Sequence, residues 1–250
     1  MPEVELLLTG YSLNTDQGTL GFSTVVLIRG QQNILLDTGQ QGRRELLLHA
    51  LEARRLTPDD IGTVVLTHAH WDHSQNVDLF PNASICIHPK ELEYTRNPKP
   101  SDWATARYFP DTLRNLNVRE IAEGETLEPG VRVLDTPGHT RGSISLLVET
   151  SQGTVALVGD AITSPGSAFI GKPYLIFWDE REAEESVAKL LKASRTIYPG
   201  HDRPFRLGQG NSFEYLVEGG AIEVFGSMGY GTDVRVLIAP APPRQVRVMP

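Results

Sequence analysis

The segment Thr67-His68-Ala69-His70-Trp71-Asp72-His73 decides how this chain is interpreted. Its imidazole and carboxylate groups are ligands that zinc, manganese, iron and cobalt take in proteins. The chain has seven histidines, and three of them lie in this one segment. In an extended stretch His68 and His70 project to the same side, and a turn after them can direct Asp72 and His73 elsewhere. One short loop can therefore serve two neighbouring metal ions.

Three further candidate ligands follow, each at the end of a β-rich run and each directly after a glycine. They are His139 in Pro137-Gly138-His139-Thr140, Asp160 in Val158-Gly159-Asp160-Ala161 and His201 in Pro199-Gly200-His201-Asp202. Glycine permits a sharp turn and a close backbone approach, which a tight metal pocket requires. A single histidine at a strand end is more often structural than a ligand. The prediction therefore depends on the whole ordered set of seven residues, spread over positions 68 to 201.

The motif His-x-His-x-Asp-His, followed by Gly-His, Gly-Asp and Gly-His turns, resembles the metallo-β-lactamase superfamily from about Leu6 to Phe205. The resemblance implies an α/β (α+β) fold, a four-layer αββα sandwich whose two sheets pack between helices. It also implies two divalent metal ions at one edge, zinc first, with manganese, iron or cobalt as alternatives. By this resemblance one metal is held by His68, His70 and His139, the other by Asp72, His73 and His201, and Asp160 bridges them.

The resemblance further implies a metal-dependent hydrolase whose metal pair shares a hydroxide that attacks a carbonyl carbon or a phosphorus. Asp72 and Asp160 are the predicted catalytic residues. Asp72 is a ligand and also the best-placed carboxylate to orient the nucleophile or pass a proton. His49 and His88 fall outside the motif and are interpreted as structural, and Cys86 as a small apolar core residue.

A lactone or another carboxylic ester is the first predicted substrate. The segments Glu128–Val131, Thr136–Thr140 and Gly159–Ala161 resemble the acyl-homoserine-lactonase family. That family has a substrate-binding tyrosine three residues after the bridging aspartate, whereas this chain has Thr163. A threonine is too short for that role, so lactonase activity requires another donor, for which Tyr174 is the candidate.

A phosphodiesterase or nuclease is the alternative function. Segments 76–83 and 199–206 resemble the group of metallo-β-lactamase domain-containing protein 1, in which some relatives act on RNA. Arg203 and Arg206 favour this alternative. The formal net charge of −8 and the lack of a basic stripe disfavour a nucleic-acid partner. Lower-ranked alternatives are a β-lactamase, a glyoxalase II-like thioesterase, a persulfide dioxygenase and a non-catalytic binding protein.

The length and composition of the chain suit one soluble domain spanning 1–250. Its C-terminal extension, from about 206 to 250, is expected to be a lid, a dimer contact or an unstructured tail. The chain has one cysteine, so no intramolecular disulfide can form. Neither a secretory leader nor a membrane span is apparent. We therefore expect a cytoplasmic enzyme that binds a small ester or lactone, with a homodimer as one arrangement.

Hydrophobic patterning predicts the main elements. The predicted strands are Val4–Thr9, a hairpin of Ser23–Arg29 with Asn33–Leu36, Thr63–Thr67, Ser84–Ile87, Val131–Leu134, Ser143–Glu149, Thr154–Val158, Thr196–Tyr198 and Val234–Ile238. The predicted helices are Arg43–Arg55 and Arg181–Ala193. The proline- and aromatic-containing excursion at about 96–117 breaks the pattern, and is either packed surface or a lid or substrate wall.

Overall fold

Two large β-sheets organise the chain in the computed structural model, which describes residues 1–15, 18–219 and 245–250. The strands are β1 (Glu3–Leu8), β2 (Tyr11–Thr15), β3 (Gly18–Phe22), β4 (Val25–Arg29), β5 (Asn33–Leu36), β6 (Thr63–Val65), β7 (Ser84–Ile87), β8 (Asn117–Glu120), β9 (Thr126–Glu128), β10 (Val131–Asp135), β11 (Ile144–Thr150), β12 (Gly153–Gly159), β13 (Leu175–Ile176), β14 (Thr196–Pro199), β15 (Phe205–Leu207), β16 (Phe213–Tyr215) and β17 (Arg247–Val248). The α-helices are α1 (Arg44–Glu52), α2 (Trp71–Ser74), α3 (Pro89–Arg96), α4 (Phe109–Thr112), α5 (Pro165–Ile170) and α6 (Glu180–Ala193).

The first sheet has the strand order β1-β4-β5-β6-β7-β8, and the second has the order β16-β15-β14-β12-β11-β10-β9. Strands β5, β6, β7 and β8 run parallel to one another, and β12 runs parallel to β14. Because parallel strands end at the same edge of a sheet, the loops that follow them lie side by side. The segment that follows β6 is the histidine-rich one.

Successive side chains of a strand point alternately into the core between the two sheets and into the core on the outer face of its sheet. In β4, Val26 and Ile28 pack between the sheets, whereas Val25 and Leu27 pack on the outer face with Leu47 of α1. This period of two is what a strand buried on both faces requires. The outer face of the second sheet is covered by α6. The layer order is thus helix, sheet, sheet, helix, and the predicted αββα sandwich is confirmed.

Most predicted elements are present with small shifts at their ends. The predicted helix Arg43–Arg55 is shorter, because α1 runs over Arg44–Glu52. It stops where Arg55 adopts a left-handed φ of 59°, which lets the amide of Leu56 donate to the carbonyl of Leu51 at 3.0 Å.

The hairpin of β2 and β3, which was not predicted, pairs its strands from Tyr11 with Phe22 to Thr15 with Gly18. Glycine and asparagine in these strands weaken the local β signal. The hairpin matters because it lies beside the candidate site described below.

The excursion at about 96–117 contains α4 and a loop that pairs with the histidine-rich segment. The amide of Trp71 donates to the carbonyl of Ala104 at 3.0 Å, and His70 forms an antiparallel bridge with Thr105. This loop is therefore held against the segment that carries the candidate ligands.

Past the core, β15 and β16 extend the second sheet, and β17 pairs in parallel with β13. The predicted strand Val234–Ile238 lies outside the described residues. In the parts of the chain that the structure describes, every helix is too short or too polar to cross a membrane.

Candidate metal centre

All seven predicted ligands converge at one edge of the two sheets, where four segments that follow strands meet. His68 and His70 follow β6, and Asp72 and His73 lie in the short helix α2. The remaining three are His139 after β10, Asp160 after β12 and His201 after β14. Their side chains form three overlapping groups that could hold a metal ion: His68 with His70 and His139, His68 with His73 and Asp160, and Asp72 with His73 and His201.

The first group is built from three buried imidazoles. Nδ1 of His70 lies 3.0 Å from Nε2 of His139, and the rings of His68 and His70 have centroids 4.5 Å apart. Within each group the candidate ligand atoms lie within 4.8 Å of one another. This spacing fits three ligands around one cation.

The Asp160 carboxylate lies between the histidines of the two sides. Its Oδ2 is 3.4 Å from Nε2 of His139 and 3.1 Å from Nε2 of His201, while its Oδ1 is 3.2 Å from Nε2 of His73. On the far side, Oδ2 of Asp72 lies 3.4 Å from Nε2 of His201. One carboxylate thus reaches histidines of both outer groups.

Buried polar atoms without hydrogen bonds show that the residues fit a metal. Among the described residues, Nε2 of His68, Nε2 of His73 and Oδ1 of Asp160 are buried and make no hydrogen bond. An unsatisfied buried polar atom costs about 1–3 kcal/mol, and coordination to a divalent cation removes that cost. Nitrogen and carboxylate oxygen donors suit zinc and its neighbours in the first transition series.

Burial and neighbouring charges separate the histidines into two electrostatic types. Burial, reinforced by the surrounding imidazoles, lowers the pKa of His68 well below its ordinary value. Burial likewise lowers the pKa of His139 to about 4. Burial also acts to lower the pKa of His73. The carboxylates of Asp160, Asp37 and Asp72 outweigh it and raise that pKa well above the ordinary value. The pKa of His201 is also raised, because Asp160 and Asp72 outweigh burial.

In four of the five histidines the ring nitrogen that faces away from the cluster has a polar partner, which fixes the ring. The Asp37 carboxylate lies 2.7 Å from Nδ1 of His73 and accepts from the amide of Thr67 at 2.8 Å. Nδ1 of His139 donates to the carbonyl of Leu175 at 2.8 Å. Such outer partners set ring orientation and ligand basicity. The site therefore includes a second layer of positioning groups.

Asp37 was not among the predicted site residues. The strand order contains a signal that could have identified Asp37 as a site residue. Strands β5 and β6 are parallel neighbours, so a carboxylate directly after β5 must lie beside the ligands after β6. Asp37 is buried and adopts a φ of 57°, which is unusual for a residue other than glycine.

Two glycines are required where the loops approach each other. Gly159, before Asp160, has a φ of 49°, in the left-handed region that favours glycine. Gly200, before His201, lies so close that a Cβ there would overlap the Asp160 carboxylate and the Gly159 carbonyl. The prediction that these turns need glycine is confirmed at both positions.

The walls of the site are aromatic on one side and backbone on the other. Phe177 packs edge-on against His70 and His139 at centroid distances of 5.0 and 5.5 Å, and Trp103 packs on Phe177 at 5.7 Å while remaining 54% exposed. On the opposite side the hairpin approaches at Gly21, where a Cβ would be 2.5 Å from Oδ2 of Asp72. The excursion thus places an exposed indole against Phe177, and its role as a substrate wall stays a prediction.

Thr163, which stands where the lactonase family has its substrate-binding tyrosine, is buried. The backbone carbonyl of Thr163 accepts from the amide of His201 at 3.1 Å, whereas the Thr163 hydroxyl makes no hydrogen bond among the described residues. The Tyr174 hydroxyl lies against Gly166 at the start of α5. Whether Tyr174 replaces the lactonase tyrosine stays a prediction.

The two arginines that favoured a nuclease are engaged in other contacts. The Arg203 guanidinium carbon lies 3.6 Å from the ring centroid of Tyr215, and that phenol donates to Asp202 at 3.0 Å. Arg206 is exposed on β15, where its Nε donates to the hydroxyl of Thr196 at 3.4 Å.

The residues expected to be structural lie outside these groups. His49 is exposed on α1, and His88 is buried before α3, where its Nδ1 accepts from the amide of Lys90 at 3.1 Å. Cys86 packs between the sheets.

Known proteins share both the sequence pattern and the fold. The sequence profile described as "Metallo-beta-lactamase superfamily" matches residues 18–201. Metallo-beta-lactamase domain-containing protein 1 of Xenopus laevis is 34% identical over 206 residues, covering 82% of this chain and 81% of the relative. An N-acyl homoserine lactonase from Bacillus sp. is 28% identical over 207 residues, covering 77% of this chain and 80% of the lactonase.

A solved structure agrees with this relationship. A Thermotoga maritima protein of the metallo-beta-lactamase type superposes with a TM-score of 0.68 at 26% identity, covering 82% of this chain and 99% of that chain. With the profile matching most of its length and its fold reproduced, the chain belongs to the metallo-beta-lactamase superfamily.

Proposed function

We propose that this protein is a hydrolase that uses two divalent metal ions, most simply zinc, and that it opens lactones or other carboxylic esters. The observation that carries the proposal is the position of Asp160, whose carboxylate is 3.4 Å or less from His139, His201 and His73. A carboxylate in that position can bridge two cations. One cation would be held by His68, His70 and His139, and the other by Asp72, His73 and His201.

The metal ions, when bound, would supply Lewis acidity and lower the pKa of water. The protein's own groups then have three tasks. The histidines and Asp160 fix the cations. Asp72, whose Oδ2 lies between His201 and His73 at 3.4 and 3.8 Å, is placed to accept a proton from the attacking water and deliver it to the leaving oxygen. Phe177, which is buried against His70 and His139, shields one side of the site from water.

The ester preference is supported by three features. A lactonase is among the relatives. The exposed indole of Trp103 packs on the buried ring of Phe177, which in turn contacts His70 and His139, so it offers an apolar surface near the site that suits an acyl group. Esters and lactones are uncharged, so a chain with a net charge of −8 does not repel them.

The phosphodiesterase alternative has weaker support. Arg203 stacks on Tyr215 and Arg206 lies on an exposed strand, so neither is placed on the cluster by its contacts. The resemblance to metallo-beta-lactamase domain-containing protein 1 keeps this alternative as the second candidate. A cytoplasmic location also stays part of the proposal, and the single buried cysteine is consistent with it.

A substrate panel on metal-replete protein tests the proposal. Acyl lactones and aryl esters are compared with a bis-aryl phosphodiester, single-stranded RNA, a thioester and a β-lactam. We expect acyl lactones to give the largest kcat/KM, and Asp160→Asn to lose that activity while keeping the far-ultraviolet spectrum of the folded protein. Faster hydrolysis of the phosphodiester than of any lactone would overturn the ester assignment.

A further inference from the structure

One ring in the candidate centre is turned relative to the other four. In His68, His73, His139 and His201, Nδ1 contacts Thr67, Asp37, Leu175 and Phe22 respectively, at 2.7–3.2 Å. Their Nε2 atoms face the cluster. In His70 the roles are exchanged, since Nδ1 lies 3.0 Å from Nε2 of His139. Nε2 of His70 is consequently the outer atom, and it is buried.

The group facing this outer atom is Asp102. Its Oδ1 lies 3.3 Å from Nε2 of His70, and the Asp102 side chain is completely buried. The distance is long for a hydrogen bond, and Nε2 of His70 makes none with the described residues. Asp102 Oδ1 is therefore the acceptor placed to receive a hydrogen bond from Nε2–H of His70 when Nδ1 of that ring binds a metal.

The Asp102 carboxylate is itself fixed in place. Its Oδ1 accepts from the amides of Ala104 and Thr105, both at 3.0 Å. Its Oδ2 accepts from the hydroxyls of Tyr94 and Thr105 at 2.9 and 2.8 Å. Four donors on one buried carboxylate leave little rotational freedom, so its position relative to His70 is built into the fold.

We infer that Asp102 is a positioning residue: it accepts a hydrogen bond from the protonated Nε2 of His70, which keeps the proton on Nε2 and leaves Nδ1 of that ring free to bind the metal. A neutral imidazole carries one proton, and the nitrogen that bonds an outer acceptor leaves the other free for a metal. The inference rests on the proposed metal centre but not on the proposed substrate. It also gives the excursion a role of its own, since the loop around Asp102 supports a ligand.

The experiment compares Asp102→Ala and Asp102→Asn with Asp111→Asn. Asp111 is an exposed carboxylate of the same excursion that pairs with Arg114, so its variant matches the change in charge. Zn²⁺ affinity is measured by competition with a chelator. We expect Asp102→Ala to bind one equivalent about 10- to 100-fold more weakly, Asp102→Asn to lie between it and wild type, and Asp111→Asn to match wild type.

A second readout separates positioning from simple support of the loop. In zinc-loaded protein labelled with ¹⁵N-histidine, His70 should be the ligand ring protonated on Nε2, whereas the other four ligand rings carry the proton on Nδ1. In Asp102→Asn the His70 Nε2 proton should move upfield while the other four stay in place. This measurement remains informative if Asp102→Ala fails to fold.

Wild-type zinc affinity in Asp102→Ala, or an unmoved His70 Nε2 proton in Asp102→Asn, would overturn the inference. Neither result would affect the proposed hydrolase, because wild-type protein would still bind metal. Conversely, wild-type protein that binds no zinc would refute the metal centre itself.

Discussion

The amide of Ala69 donates a 2.9 Å hydrogen bond to the buried carboxylate of Glu91. Ala69 lies between the candidate ligands His68 and His70. The same carboxylate accepts from the amide of Gly142 at 2.8 Å and from the hydroxyl of Thr140, next to His139, at 2.9 Å. One residue of α3 thus joins the two loops that carry the first group of ligands.

Glu91→Gln should destabilise the protein by about 1–3 kcal/mol, because an amide nitrogen would face a donor where a carboxylate oxygen now accepts. Urea unfolding measures this cost. Glu93→Gln, at an exposed position of the same helix, is the matched control and should change stability little. Equal stability of the two variants would show that Glu91 does not join the loops.

Gly21→Ala should disturb the centre from the side of the hairpin. A Cβ at position 21 would lie 2.5 Å from Oδ2 of Asp72 and 3.4 Å from Cε1 of His201. Overpacking of this kind costs about 1–3 kcal/mol, and the hairpin can relieve it by moving away from the cluster. We expect weaker metal binding and lower activity in a folded protein. Leu20→Ala, on an exposed residue of the same hairpin, should retain metal, and equal retention by both variants would contradict the close approach.

Thr163→Val should stabilise the protein by about 1 kcal/mol, since it removes a buried hydroxyl that makes no hydrogen bond among the described residues. Thr140→Val is the contrasting variant, because the Thr140 hydroxyl bonds Glu91 and Ser143. It should lower the melting temperature, whereas Thr163→Val should raise it. A loss of lactone turnover in Thr163→Val, without a loss of stability, would instead make that hydroxyl a substrate contact.

Metal binding should release protons near neutral pH. In the metal-free protein the pKa values of His73 and His201 are raised above the ordinary 6.5, so these rings hold protons that a metal must displace. Affinity should therefore increase as the pH rises from 6.5 through the raised values. By the same linkage the stability that these protonated rings give the metal-free fold is present below pH 6.5 and lost as the pH rises through the folded pKa values.

Calorimetric titration with Zn²⁺ in two buffers of different ionisation enthalpy at pH 7 measures this release. Different observed heats would support it. Identical heats in both buffers would contradict the raised pKa values.

Strand periodicity predicted most of the elements, because it is a local pattern. The layers followed from the resemblance to the metallo-β-lactamase superfamily, which the seven clustered residues carry. The sequence did not predict the groups that act on the ligands from a distance. Asp102 lies 32 positions after His70 in an excursion without a periodic pattern, and Glu91 lies in a helix whose buried face mixes Tyr94 and Thr95 with a carboxylate. Their roles come from tertiary contacts. The β2–β3 hairpin was missed because glycine and polar residues reduce its strand signal.

The central claim is that seven side chains hold a pair of metal ions with Asp160 between them. Elemental analysis of zinc-reconstituted, desalted protein tests it most directly, with Asp160→Ala beside the wild type. We expect about two equivalents of zinc per wild-type chain and a clear loss of zinc in the folded variant. A wild-type chain that retains no zinc after reconstitution, or an Asp160→Ala variant with the full wild-type content, would contradict the account.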